Sequence, residues 1–462
     1  MKARKVFRRT LFLSIVIVLS AGGASGASQP SGLMTMQTTS SSPAQVSWHF
    51  ETVESTSLVS VGQHVSLDLD PFTGLPSISH YDATNDTLRY AKYVGSGGTC
   101  AANDRWNCRL IDDGGDVGQY NSLAIEPIIH PSIYAWPKIA YYNATTGALE
   151  YAAYDWPGTW HYTTIEDISF GVSGQYTSLQ LDSSKQAHIA YYSFSSLFTT
   201  GRLKYATYVG GGSGNCLDDD WQCDSIESGS TDHGKHASLQ LDSGDNPSIA
   251  YYGENGDLKF ATKGGLFANC GPGGNSWTCN IIDSIGDVGQ YASLVRDDFG
   301  FPHIAYYDAT NQALKYAKFV ASGGNCGFFS GTYFWQCDEI DHMGSSTADM
   351  GISMAVDSQG YPVIAYQKTS DTEPAILKVA RPTVAMGLLH GNCGPEDLFF
   401  TWQCETIDNG GSYTSVGNYI DIALNQSDLA TIAYYESDSY NFSGNLKVAY
   451  QTIQTYLPLI LK

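Results

Sequence analysis

The sequence predicts an all-β fold: a seven-bladed β-propeller with four antiparallel strands per blade and an N-terminal strand completing the last blade. Three observations carry this expectation. Four short segments recur seven times in fixed order, each 5–8 residues long and rich in Tyr, Ile, Val and Thr. Gly, Pro, Asn and Asp separate them, which is the chemistry of strands and tight turns. The two ends of the chain, finally, carry complementary fragments of one repeat.

The first segment reads GQYNSLAIE, GQYTSLQLD, KHASLQLD or GQYASLVRD, with looser forms GQHVSLDLD, GISMAVD and NYIDIALN. Its marker positions, Ser66, Ser122, Ser178, Ser238, Ser293, Ser353 and Asp421, step by 56, 56, 60, 55, 60 and 68 residues. The second segment is of the IAYY type (PHIAYYD, PSISHYD) and the third of the LKYA type (LRYAKY, LKYATY). The fourth opens at Trp48, Trp106, Trp160, Trp221, Trp277, Trp335 or Trp402. Four strands per repeat, repeated radially, make propeller blades. Residues 47–53 are a fourth strand with no first three before it, and residues 418–450 are three strands with no tryptophan strand after them. Pairing the two closes the ring and removes two sheet edges that would invite aggregation.

Every fourth segment ends in an acid: Glu54, Asp112, Glu166, Glu227, Asp283, Asp341 or Asp408. The third segments begin with Arg89, Lys204, Lys259, Lys315, Lys378 or Lys447, and Glu150 is the exception. Antiparallel neighbours bring such ends together, so the expected pairs lie within a blade, as Lys204 with Glu227, and Lys447 with Glu54 across the termini. Ten cysteines make five local pairs around the loop between third and fourth strands: Cys100–Cys108, Cys216–Cys223, Cys270–Cys279, Cys326–Cys337 and Cys393–Cys404. The second repeat lacks both members and reads YDWPGTWHY. Cysteines that come and go as pairs point to disulfides within a repeat, and the absence of CxxC spacing argues against zinc.

Residues 1–27 read as a secretory signal, with a basic start (Lys2, Arg4, Lys5, Arg8, Arg9), an apolar run from Leu11 to Ala21 and small residues after it. Its removal takes away five of the 24 basic residues and none of the 46 acids, moving the formal charge from −22 to −27. Such acidity speaks against nucleic-acid and anionic-membrane partners, which need clustered Lys and Arg. No later run is long enough for a transmembrane helix. The expected organisation is signal peptide 1–27, flexible linker 28–46, propeller 47–452 and apolar tail 453–462, in a secreted, extracellular monomer.

First strands line a propeller's channel, and at their starts stand His64, Tyr120, Tyr176, His236, Tyr291 and Tyr419, with Gly351 as a gap at the seventh position. Gln63, Gln119, Gln175 and Gln290 precede four of them. Aromatic faces beside amides suit sugars, because rings cover CH faces while amides bond hydroxyls. Wedge packing between blades is the competing role for the same side chains. In an enzyme, His64, His236 and Tyr291 would be the acid and base candidates. The few arginines, mostly away from the strand starts, disfavour a sialidase-type site, and no GxSxG or HExxH motif is present. Asp82, Asn85 and Asp86 lie on the acidic rim, where calcium is an admissible ligand although no EF-hand-like spacing occurs; no cofactor is required. His188 and His303 occupy a slot held elsewhere by Lys138 and Ser77 and are expected on a polar surface. His233 and His236 form the one close histidine pair.

With PHIAYYDATNQALKYAKFV and its partners in view, residues 47–452 resemble a group of secreted bacterial propeller-repeat proteins with poorly defined roles. The resemblance implies the fold and secretion and assigns no activity. The expected function is an extracellular binding or adhesion module that recognises carbohydrate or another surface ligand at the channel mouth. A polysaccharide-degrading lyase or glycosidase and a protein-interaction scaffold are the alternatives.

Overall fold

Seven antiparallel sheets follow one another along the chain, each a blade with its strands in sequential order. The computed structural model describes residues 45–454, apart from 56–58, 128–135, 156–157, 169, 198, 229–231, 266, 346–349, 371, 388–389 and 395–401. The expected signal segment (1–27), nearly all of the expected linker (28–46) and all of the chain beyond 454 lie outside the described residues. Blades one to six span 61–112, 117–166, 171–228, 235–283, 288–342 and 352–408. In blade one the strands, from channel to rim, are Val61–Leu69, Pro76–Asp82, Thr87–Tyr93 and Trp106–Asp112. Blade seven takes Thr414–Leu424, Ala430–Asp438 and Ser443–Gln454 from one end of the chain and its outer strand, Gln45–Glu54, from the other. The expected closure is therefore present. Blade five carries a fifth short strand, Cys326–Phe329, outside its fourth.

All five expected disulfides form. Their loops fold onto the preceding blade: Leu217 N–H donates to Ile165 O at 3.0 Å, and Gly271 N–H to Ile226 O at 2.7 Å. Each loop helps to bury the tryptophan that opens its own outer strand, so Trp106, Trp221, Trp277, Trp335 and Trp402 are buried. Trp48 and Trp160, which have no such loop, are half-buried. The apolar core is divided among the seams. Leu203, Tyr205 and Ile226 of blade three, for instance, pack with Leu239, Ile249, Tyr251 and Trp277 of blade four. Burial of such side chains contributes roughly 1.5–3 kcal/mol each, which makes every seam a hydrophobic core in its own right.

The charge pairs differ from expectation, and the reason is local. In blade three the pairing shifts by one residue between Leu203 and Lys204, so that Glu227 stands opposite Leu203 and Ser225 opposite Lys204. The same shift recurs in blades one, two, four, five and six. Side chains alternate between faces, so the bulge sends the acid towards the following blade while the base faces the preceding one. Lys204 accordingly pairs with Glu166, Lys259 with Glu227, Lys315 with Asp283, Lys378 with Asp341, Lys447 with Asp408 and Arg89 with Glu54. Neither Lys204–Glu227 nor Lys447–Glu54 forms. A tyrosine of the IAYY segment joins each pair: Tyr251 donates to Glu227 at 2.6 Å, Tyr306 to Asp283 at 2.7 Å and Tyr434 to Asp408 at 2.7 Å. At the seam between blades seven and one His80 replaces the tyrosine, 3.3 Å from Glu54. Burial opposes ionisation there, yet His80 and Arg89 draw the Glu54 carboxyl down to about 2.

The seam between blades one and two departs from this scheme. Tyr141 still donates to Asp112, at 2.6 Å, but Glu150 stands where the other blades carry a base. Burial pushes the Glu150 carboxyl up, Asp112 adds to the shift, and Thr164 supplies a hydrogen bond at 3.0 Å.

A second ring joins the inner strands. Leu123 N–H donates to Ser66 Oγ, Leu179 N–H to Ser122, Leu239 N–H to Ser178, Leu294 N–H to Ser238, Met354 N–H to Ser293 and Ile422 N–H to Ser353, all at 2.9–3.2 Å. Asp421 completes the circle by accepting from Leu67 N–H at 2.7 Å. The seven marker positions of the repeat are thus the hydrogen-bond acceptors that tie each blade to the next.

The seam pairing gives two expected outcomes. A double-mutant cycle of Lys259→Ala with Glu227→Gln should show a coupling of roughly 0.5–3 kcal/mol, whereas Lys204→Ala with Glu227→Gln should be additive. Equal coupling in both cycles would contradict the inter-blade register. Glu150→Lys, which restores the repeat's base beside Asp112, should raise the melting temperature at pH 7–8; an unchanged or lowered value would show that Thr164 already compensates for the missing charge.

Candidate functional site

The upper mouth of the channel is built from a backbone irregularity. Six of the seven first strands, all but that of blade six, carry Gly, a polar residue and an aromatic near their start, and pairing with the second strand slips there, as between Gln119 and Ser122. Gly118 stands at φ +103°, and a Cβ there would fall 2.8 Å from Leu88 Cα of the preceding blade, so the position admits only glycine. The aromatic that follows is left-handed in every case: His64 at φ 49°, Tyr120 at 50°, Tyr176 at 52°, His236 at 53°, Tyr291 at 54° and Tyr419 at 48°. For bulky side chains this is a strained backbone region, and bulges of this kind re-aim side chains next to functional sites.

The six rings form an arc. Centroids lie 4.5 Å apart for His64 and Tyr419, 4.7 Å for His64 and Tyr120, 4.7 Å for Tyr120 and Tyr176, 4.6 Å for Tyr176 and His236, and 4.4 Å for His236 and Tyr291. They line a cavity of about 220 Å³ and are half-buried. A second tier supports them edge-on, with Tyr81 behind His64, Tyr192 behind Tyr176 and Tyr435 behind Tyr419. The carbonyls of the strained residues are held as well: Asn121 Nδ2 donates to His64 O at 2.6 Å, and Thr177 Oγ1 donates to Tyr120 O. Burial holds the His64 and His236 imidazoles down at about 3, so both are neutral above pH 5.

The other predicted residues are placed differently. Gln119 and Gln290 turn away from the mouth and donate to Asp116 and Asp287, at 3.0 and 3.2 Å, and Gln63 donates to Ser60 at 3.2 Å. Gln175 occupies the same bulge, opposite Tyr192. The gap at Gly351 is closed by blade seven, since a Cβ there would meet Ile420 N at 2.7 Å. Asp82 caps its own turn, accepting from Thr84 N–H, Asn85 N–H and Asn85 Nδ2, and Asp86 accepts from Tyr81 at 3.0 Å. Among the described residues no three His, Cys, Asp or Glu side chains converge as a metal centre.

Three histidine placements correct the sequence reading. His303 is fully buried and His188 nearly so. Tyr316 and Tyr205 reach their Nδ1 atoms from the adjacent strand, and Asp297 and Asp182 sit 3.4 Å from Nε2. His233 joins the Glu227 seam at 3.5 Å and so diverges from His236 in the mouth.

A larger cavity, about 590 Å³, occupies the lower channel and opens among the hairpins between first and second strands. Asp68, Gln180, Gln240, Arg296, Asp182 and Asp297 contribute to its lining. Sequence reasoning concentrated on the upper rim and passed over it, although the outward alternation after each marker serine points into this space. Burial pushes the Asp68 carboxyl up to about 7, helped by the neighbouring Asp421 charge, and pushes Asp421 itself up to about 6.

No protein-family model matches the chain, and no curated protein matches it. Solved structures do. A triple mutant of AofleA from Arthrobotrys oligospora is 10% identical, over 79% of this chain and 91% of that one, with a TM-score of 0.44. An Aleuria aurantia lectin mutant complexed with a fucosylated sugar is 11% identical, over 86% and 96%, at 0.38. The Cellvibrio cellulosa α-L-arabinanase bound to arabinohexaose is 9% identical, over 71% and 90%, at 0.32. At these values none of them bears on a ligand or activity of this chain.

The channel acids set a pH dependence. A carboxyl whose folded pKa is raised binds its proton more tightly when folded, so its stabilisation is complete below the unfolded value of 3.8 and is lost as pH rises through about 6–7. Asp421→Ser, which restores the marker serine, should therefore flatten the decline in melting temperature between pH 4 and 8. An unaltered slope would mean that Asp421 is not among the groups responsible.

Proposed function

We propose that the protein is an extracellular binding propeller that holds a neutral carbohydrate or comparable surface ligand against the aromatic arc of its upper mouth. One observation carries this reading. Six bulky aromatics are kept in left-handed backbone, at φ 48–54°, and all six line one cavity. Such repeated strain places six ring surfaces around one opening, and a strained conformation over-determined by its surroundings is a mark of a working site. Five disulfides fit an oxidising, extracellular setting. Among the described residues no helix is long and apolar enough to cross a membrane.

Binding without turnover is favoured over glycoside hydrolysis by the lining of the mouth, which holds no Asp or Glu among the described residues, whereas a glycosidase needs a pair of carboxylates. The reading is tested by a glycan and polysaccharide screen on residues 28–462, with calcium or with chelator, following product release in the same samples. Saturable binding without product is expected, reduced at least tenfold by Tyr176→Asn, which keeps the left-handed backbone while removing the ring. Product formation would establish the degrading enzyme instead. Binding to nothing, or binding indifferent to Tyr176, would leave a protein-interaction scaffold.

A further inference from the structure

Blade two has no cysteine and so no disulfide loop, unlike blades one and three to six, and among the described residues nothing fills the space that such a loop takes elsewhere. A groove of about 590 Å³ runs between blades one and two. Its walls are predominantly apolar and aromatic, with Tyr90, Tyr93, Tyr154 and Trp160 as the rings. The volume lies within the range of small-molecule pockets.

The polar lining of this groove has the opposite sign to the rest of the protein. Arg109 stands three residues after Trp106, and the corresponding positions after the other six tryptophans hold Glu51, Thr163, Asp224, Asn280, Asp338 and Glu405. Four of those are acids. At the seam between blades seven and one, the acid accepts from the covering loop: Glu51 Oε2 takes the Trp106 Nε1–H at 3.0 Å, and Arg105 pairs with Glu51. Between blades one and two, Arg109 occupies that place, with its guanidinium 5.9 Å from the Tyr154 ring centroid and no carboxylate at ion-pair distance among the described residues. Trp160 Nε1 is buried without an acceptor. Trp277 and Trp402 leave theirs unmatched too, but beneath disulfide loops. Lys92, cross-strand from Asn107, also lines the groove, and burial holds its ammonium below the usual lysine range despite Asp70 nearby. The Asp70 carboxylate is engaged in its own turn by Phe72 N–H and Thr73 N–H at 3.0 and 2.9 Å.

From this donor-rich, aromatic groove in a chain of net charge −22, we infer that the seam between blades one and two is a binding site for a small amphipathic carboxylate. Its acyl or aryl body would lie among Tyr93, Tyr154 and Trp160, and its carboxylate would meet Arg109 and Lys92. The groove shares no lining residue with the aromatic mouth.

Calorimetric titration of the intact protein with octanoate tests this, with 1-octanol as the uncharged control. One saturable site per chain is expected for octanoate, with octanol at least tenfold weaker. Arg109→Glu, at an exposed position and matching the acids of the other repeats, should weaken octanoate at least tenfold without lowering the melting temperature. Grafting the disulfide loop 209–223, with both Cys216 and Cys223, in place of residues 155–162 should abolish binding, and Tyr176→Asn should leave it unchanged. No saturable heat at millimolar octanoate, equal affinity for octanol, or indifference to Arg109→Glu would overturn the inference.

Discussion

The forward reach of each blade's last acid into the next blade organises the whole ring. A propeller has no central core; its apolar side chains are shared out among seven seams, and each seam must also accommodate the polar ends of the strands that meet there. The acid at the end of the outer strand does so by gathering a base and a tyrosine from the following blade, as Glu227 gathers Lys259 and Tyr251. A charge buried at such a seam without partners would cost several kcal/mol. Once paired, it fixes the rotation of one blade on the next, because the three groups meet only at one register. The inner ring of marker serines works at the other edge of each blade, through neutral hydrogen bonds from backbone N–H groups. Together the two rings hold every blade at its channel side and towards its rim.

Most of this architecture was legible in the sequence because it is periodic. Four strands per blade, the blade count, closure by residues 47–53 and all five disulfides follow from what repeats and what is missing at the ends; the fifth strand of blade five, Cys326–Phe329, does not. The seam pairing was not legible, although its acids and bases were identified. Its partner choice is set by a one-residue bulge between third and fourth strands, at Leu203–Lys204 and its equivalents. A bulge leaves the composition of a strand unchanged and reverses the face on which its end projects. The buried His188 and His303 were misplaced for a related reason. Their slot looks polar beside Lys138 and Ser77, and only the hydroxyls of Tyr205 and Tyr316, arriving from a neighbouring strand, make burial tolerable.

At the mouth the aromatics and the glutamines that the sequence grouped together part company. His64, Tyr120, Tyr176, His236, Tyr291 and Tyr419 do converge, yet the glutamines beside Tyr120 and Tyr291 serve the acids of the rim. The left-handed backbone explains the separation. At φ near 50° the aromatic turns into the opening while the residue before it stays on the blade face, so neighbours in sequence end on different surfaces. The loss of the ring at Gly351 is matched by the loss of its supporting tyrosine, where Gln367 donates instead to Asn418 at 2.8 Å. Blade six has thus exchanged both tiers together and closed its share of the mouth against blade seven.

Departures from the repeat gain meaning from where they fall. Other seams carry isolated exceptions, such as His80 for a tyrosine, Gly351 for an aromatic and Asp421 for a serine, whereas one seam collects four. Here Glu150 in place of a base, Arg109 in place of an acid or neutral residue, the missing disulfide and the half-buried Trp160 all belong to the seam between blades one and two. Any one of them weakens that seam. Taken together they are coherent: the loop is absent, the acid that would hold such a loop has become a cation, and the uncovered rings line a groove. Weakening one seam is tolerable only because six others and the closing strand still hold the ring, and it is this redundancy that lets one junction be opened for binding.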